Sequence, residues 1–331
     1  MVSRTALVIL LSTSVALARP EPTAAKKQLP LVIWHGLGDT YNSEGIMGIG
    51  ELANEANPGT FMHSIYLDED GGSDRSASFF GLVDTQISEV CSQLQAVPEL
   101  AHGFNAIGFS QGGQFLRGYV ERCNDPPLKT LITFGAQHNG IADFLASCKP
   151  TDFVCKSASS LLRSSKWSPW VQHKVVPAQY YRDPDDLGPY LEYSAFLADI
   201  NNERPEGRNE TYKKHLSSLE RFVMVMFEDD QTVVPKESAW FAEFNTTSGV
   251  TTRLEERAIY KEDWLGLKKL GSEGRLEYLT TPGKHMQLTD EVLVGMFKTY
   301  LGPGGKKEEK KPKKGKGSDG KFSLQNLGGE L

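Results

Sequence analysis

The segment "FNAIGFSQGGQFLRGYVERC", residues 104 to 123, constrains this chain more than any other. An apolar run leads into Gly108-Phe109-Ser110-Gln111-Gly112, and a helical pattern follows at once, with Leu116, Val120 and Cys123 on one side. A short apolar run bounded by turn residues reads as a buried strand, and spacings of three and four read as a helix. A strand that passes straight into a helix must turn sharply, and glycines at 108 and 112 bring no Cβ into the bend. The turn pushes Ser110 out at the carboxyl end of the strand with its Oγ exposed. It also sets the amide of Gln111 at the start of a helix, where negative charge is stabilised. Such a serine is placed as a nucleophile.

A serine hydroxyl is inert near neutral pH without a base and an orienting acid. Where Gly-x-Ser-x-Gly bends a strand into a helix, the partners are expected downstream, acid first and histidine second. Strand-like "RFVMVMF" is followed by "EDDQTVVP", which places Asp230 at a strand end, with Asp229 the local rival and Glu228 a distant third. Strand-like "LEYLTT" is followed by "PGKHMQL", which places His285 just before the last helical pattern. The other histidines, at 35, 63, 102, 138, 173 and 215, fall outside that slot. In "WHGLGDT", after the first strand-like run, glycines at 36 and 38 let the Leu37 amide turn toward Ser110 as a second oxyanion donor. None of these steps calls for a metal or an organic cofactor.

The remaining pattern gives the fold class. Apolar runs at 29–36, 61–68, 104–109, 128–135, 221–228 and 276–281 read as strands, alternating with amphipathic stretches. One of these stretches spaces Phe80, Val83, Ile87 and Val90 by three and four. That alternation predicts a mostly parallel sheet covered by helices on both faces, and the serine turn with acid then histidine downstream is the order of an α/β-hydrolase fold. The rhythm breaks between about 140 and 218, a stretch rich in Trp, Tyr, Pro and Ser that reads as a largely helical insertion. Its Phe153, Leu161, Leu162, Trp167, Trp170, Tyr180 and Tyr181 are candidates for the wall of an apolar acyl site, or for the insertion's own core.

Two ends stand apart. Residues 1–18, with a basic residue, an apolar run and "ALA" before Arg19, read as a secretory signal peptide. Residues 303–331 form a Lys-rich tail without a core-forming pattern, leaving 28–302 as the catalytic domain. The formal net charge of −6 divides as +4 on the tail and −10 on the rest, and an acidic body argues against nucleic acid as partner. Four cysteines in a secreted chain suggest two disulfides, and three pairings are possible. The short loop "CKPTDFVC" favours Cys148 with Cys155, which leaves Cys91 with Cys123. Asn209 and Asn245 head Asn-x-Thr sequons, the acceptors of N-linked glycans on that route.

Together "LPLVIWHGLGD", "NAIGFSQGGQFLRGYVERC", "FGAQHNG", "INNERPEGRNETYKK", "FVMVMFEDDQTVVPKESAWF" and "GKHMQL" resemble the palmitoyl-protein thioesterase family, its lysosomal type-one branch, over about residues 28 to 302. The resemblance implies a nucleophile at Ser110, an acid at Asp230, a base at His285 and oxyanion amides at Leu37 and Gln111. It implies the disulfides Cys91–Cys123 and Cys148–Cys155 and a glycan at Asn209. The implied activity is removal of long-chain fatty acyl groups from cysteine thioesters of proteins undergoing degradation, in a lysosome or vacuole or after secretion. The chain departs from the family in having Tyr41 and Asn42 where related animal proteins carry a cysteine pair, in lacking the acidic residue before Pro235, and in its tail. From the residues alone the rival reading is a secreted lipase or carboxylesterase acting on oxygen esters. A non-catalytic lipid-binding protein is a further rival.

Overall fold

A computed structural model describes residues 28–143, 148, 151–245 and 248–302. The expected signal peptide and Lys-rich tail lie outside the described residues. Six strands form one sheet: β1 (Leu31–Trp34), β2 (Met62–Ser64), β3 (Phe104–Phe109), β4 (Leu128–Phe134), β5 (Arg221–Phe227) and β8 (Leu276–Thr281). They are ordered β2-β1-β3-β4-β5-β8, and every neighbouring pair is parallel. β6 (Glu243–Asn245) and β7 (Val250–Thr252) make a small antiparallel ribbon. All six sheet strands fall within the apolar runs of the sequence; the ribbon, three residues a side, leaves too short a pattern to read.

Parallel strands buried on both faces need apolar side chains in both directions, which is why the runs are nearly continuous. Val32, Trp34, Ala106, Leu131, Phe222 and Met224 point into one core, with Val83, Ile87, Val90 and Leu94 of the helix Val83–Gln95. Leu31, Ile33, Ile107, Phe109, Ile132, Val223 and Val225 point into the other, against the helices Glu44–Ala56 and Asp290–Met296. The helix after the serine, Gln111–Arg122, differs from its amphipathic reading. Every residue from Gln111 to Glu121 is buried, because the insertion packs over the side away from Leu116 and Val120.

Between β4 and β5 the chain forms short helices, among them Phe153–Ser165, Pro169–Lys174, Leu187–Tyr193 and Glu210–Leu216. They are fastened by buried charge. Glu203 accepts from Arg182 at 3.1 Å, from Arg257 at 3.2 Å and from the Tyr190 hydroxyl. Beneath them Arg117, fully buried, donates to Glu121 at 2.8 Å and to Asn201 Oδ1 at 2.9 Å. Burial pushes the Glu121 carboxyl up to about 7, against the pull of Arg117. A Cys91–Cys123 disulfide ties the end of this helix to Val83–Gln95, and Cys148–Cys155 closes a short loop at the start of the insertion.

Candidate active site

Ser110 lies between β3 and its helix with φ 51° and ψ −123°, a conformation that costs a residue with a Cβ. The neighbours enforce it. A Cβ on Gly108 would come within 2.3 Å of Gly113 Cα, and one on Gly112 within 2.3 Å of the Trp34 carbonyl and 2.4 Å of His35's. The helix start is therefore pressed against both its own strand and the end of β1, with no space for a methyl group. The Ser110 amide donates to the Phe134 carbonyl at 2.8 Å, which leaves the hydroxyl as the group presented at the rim.

β5 and β8 run in register up to Phe227 opposite Thr281, so the loops after them leave the sheet side by side. The first carries Asp230 and the second His285. His285 Nδ1 lies 2.6 Å from Asp230 Oδ2, and Nε2 lies 3.1 Å from Ser110 Oγ. The other carboxylate oxygen of Asp230 accepts from the amides of Thr232 at 2.8 Å and Val233 at 3.0 Å, which fixes its orientation. Asp230 and Ser110 are buried, and the imidazole keeps a small open surface. Asp229 and Glu228, the rival acids, are exposed and turn elsewhere. Gly135, at φ 56°, backs the imidazole. A Cβ there would stand 3.0 Å from His285 Cε1 and 3.0 Å from the Phe227 ring, so a side chain would crowd both.

The turn after β1 rests against the same serine: a Cβ on Gly36 would stand 3.4 Å from Ser110 Cβ. Its next residue is Leu37. Across from it, Gln111 opens the helix, and the first amides of a helix have no intrahelical acceptor. The Gln111 side chain is clamped, donating to the Ser78 carbonyl at 3.0 Å and accepting from the Tyr180 hydroxyl at 3.1 Å.

Three residues that sequence reasoning passed over hold this turn. His35 is buried, with Nε2 3.0 Å from Asp74 Oδ2 and Nδ1 2.9 Å from the Gly36 carbonyl. Asp74 also accepts from the amides of Tyr41 at 2.9 Å and Leu67 at 2.8 Å. Burial opposes charge on His35, yet Asp74 and the Gly36 carbonyl outweigh it, and its pKa is raised. Burial likewise opposes charge on Asp74, yet His35 and the two amides hold its carboxyl below the usual range. Arg75 donates to the Gly38 carbonyl at 2.9 Å and to Asp152 of the insertion at 2.5 Å. The only sequence-level signal was a histidine directly before the glycine turn.

Other expected positions scatter. Leu162, Tyr180 and Tyr181 are in the core, Leu161 and Trp167 pack at its edge, and Phe153 and Trp170 are exposed. Asn209 caps the helix Glu210–Leu216 and is exposed, as is Asn245 in the ribbon.

Residues 30–285 match the family described as palmitoyl protein thioesterase. The chain belongs to that family, whose members are hydrolases of thioesters. It is 40% identical over 296 residues to palmitoyl-protein thioesterase 1 of Caenorhabditis elegans, covering 88% of this chain and 98% of the relative. It is 34% identical over 281 residues to palmitoyl-protein thioesterase 3 of Dictyostelium discoideum, covering 84% and 90%. It is 29% identical over 265 residues to the human lysosomal thioesterase PPT2, covering 78% and 82%. The parallel sheet with helices on both faces is the α/β-hydrolase architecture.

Proposed function

We propose that this family member is a serine thioesterase that removes long-chain fatty acyl groups, palmitate foremost, from S-acylated cysteines of proteins and peptides during their degradation, and that it also acts on palmitoyl-CoA. The observation that carries this reading is the hydrogen-bonded line from Asp230 through His285 to Ser110 at one rim of the sheet. His285 Nε2 takes the hydroxyl proton as Ser110 Oγ attacks the acyl carbonyl, and Asp230 keeps the ring in the productive tautomer and balances its charge. The amides of Leu37 and Gln111 hold the oxyanion. When the tetrahedral adduct collapses, the carbon–sulfur bond breaks and the cysteine leaves as a thiol, protonated by His285. A cysteine thiolate is a good leaving group, its conjugate acid having a pKa of about 8.5. Water, deprotonated by the same imidazole, then attacks the acyl-enzyme and releases the fatty acid, returning the proton to Ser110.

The acyl chain is assigned to the insertion side, where Tyr180 meets Gln111 and where Trp167 stacks edge-on against Tyr181. Entry into the secretory pathway and delivery to a lysosome or vacuole, or release from the cell, is supported by the leader-like start, the two disulfides and the lysosomal relatives. Among the described residues no helix is long and apolar enough to cross a membrane. The deciding experiment measures hydrolysis of acyl thioesters of graded chain length against a triglyceride emulsion, with Ser110→Ala as control. Turnover rising toward sixteen carbons on thioesters is expected. Strong activity on emulsion with none on thioesters would replace this reading by an oxygen-ester lipase.

A further inference from the structure

A thioester substrate has two arms, and the insertion accounts for one. On the opposite face of the sheet, between the helices Glu44–Ala56 and Asp290–Met296, a trough of about 590 Å³ runs up to the reacting centre. Its upper end is lined by Gly36, Phe109 and Met286, each adjacent in sequence to a proposed catalytic or oxyanion residue. The floor is apolar, formed by Ile46, Leu52, Phe109 and Leu293. Its walls carry five carboxylates drawn from three segments: Asp39, Glu44, Glu51, Glu55 and Asp290. No lysine, arginine or histidine lines it, and among the described residues no ion pair engages any of the five. Gly45 and Gly48 face the trough from the first helix, and a Cβ on either would meet nothing within 4 Å.

A fatty chain suits this lining poorly, since it leaves five acids unmatched and its product is itself an anion. A peptide bearing lysine or arginine suits it well: the alkyl stems lie on the apolar floor while the cationic heads reach the walls. S-acylated cysteines occur characteristically in juxtamembrane and polybasic segments, so the polypeptide arm of such a substrate commonly carries these cations. We propose that the trough binds the polypeptide arm of the substrate, a basic segment flanking the acylated cysteine, an inference that rests on Ser110 attacking protein thioesters. The acidic walls also raise the local concentration of such segments, an effect that salt screens.

The test compares kcat/KM at low salt for three palmitoyl thioesters: a peptide with lysines and arginines flanking the cysteine, the same peptide with serines in their place, and S-palmitoyl-N-acetylcysteamine, which has no peptide. The basic peptide is expected to exceed the serine peptide about tenfold, as several exposed charge pairs of modest strength would give. The ratio should fall toward one in 0.5 M salt, in Glu51→Gln/Glu55→Gln, and in Gly48→Leu, which fills the trough from a helix position with open space. A ratio near one in the wild-type protein, or one unchanged by both variants, overturns the proposal while hydrolysis of the peptide-free thioester continues. If wild-type protein leaves the peptide-free thioester intact, the reading of Ser110 fails and takes this proposal with it.

Discussion

Two histidine–aspartate pairs sit near the same rim of this sheet, and what lies beyond each imidazole separates them. In His285–Asp230 the carboxylate is 2.6 Å away and the far nitrogen meets the Ser110 hydroxyl at 3.1 Å, with 13% of the histidine side chain exposed. In His35–Asp74 the carboxylate is 3.0 Å away and the far nitrogen meets the Gly36 carbonyl at 2.9 Å, with 1% and 0% exposed. A hydroxyl can give up a proton; a peptide carbonyl only accepts a hydrogen bond. Burial opposes charge on the His35 ring, but Asp74 beside Nε2 and the Gly36 carbonyl at Nδ1 raise its pKa. One pair meets a hydroxyl, as the proposed proton transfer requires. The other is a buried polar pair packed beneath the turn that carries Leu37. A histidine beside an aspartate is thus no sign of catalysis until the third group is known.

Substitutions can break this contrast at several depths. The largest loss is expected for Ser110→Ala or His285→Ala, which should lower kcat by about 10⁴–10⁶ while thermal unfolding stays close to wild type. Asp230→Asn should cost about 10²–10⁴ in kcat, whereas Asp229→Asn should stay within about twofold, both read by steady-state hydrolysis of a palmitoyl thioester. The reverse order would reassign the acid. Asp74→Asn takes the carboxylate away from the buried His35 ring and weakens its hold on the Tyr41 and Leu67 amides. We expect about 3–5 kcal/mol less stability by denaturant unfolding, with a smaller, roughly 10–10²-fold fall in kcat from a loosened oxyanion turn.

The pH dependence follows from the same pairs. Because His35 is raised, its contribution to stability is complete below its ordinary pKa of 6.5 and is lost as pH climbs through the folded value. Because Asp74 is lowered, its contribution holds above its ordinary 3.8 and is lost only as pH falls through the depressed value. Glu121 works in the same direction as His35. Its folded value of about 7 exceeds its ordinary 4.5, so the native state binds the extra proton and loses stability as pH rises between the two. Wild-type Tm should therefore be higher at pH 5.5 than at pH 8. The smallest effect expected is in Glu121→Gln, which keeps a partner for Arg117 and should flatten that slope by a few °C. An unchanged slope would leave His35 as the source of the pH dependence in this range.

What the sequence made legible follows from spacing. The Ser110 turn directly follows an apolar run, Asp230 and His285 follow strand-like runs within a few residues, and parallel strands deliver all such ends to one rim. The strands were readable because burial on both faces removes polar interruptions. Contacts between elements were not readable. Asp74 lies 39 residues from His35 in a short polar helix, and only the folding of that segment against the end of β1 brings them together. The carboxylates of "EGIMGIGELANEA" look like an ordinary solvated helix face until a second helix supplies the other wall of the trough. Leu116 and Val120 marked one apolar side of the serine's helix correctly, but the burial of its other side depends on the insertion, whose own pattern is irregular.

Gln111 illustrates how easily such a site can be misread by mutagenesis. Its main chain directly follows the serine while its side chain is occupied with Ser78 and Tyr180. Every replacement except proline retains the peptide N–H, so an alanine at 111 reports how firmly the helix start is seated rather than the proposed hold of its amide on negative charge. Replacing the peptide group itself, by an ester linkage at that bond, is the change that interrogates the electrostatics.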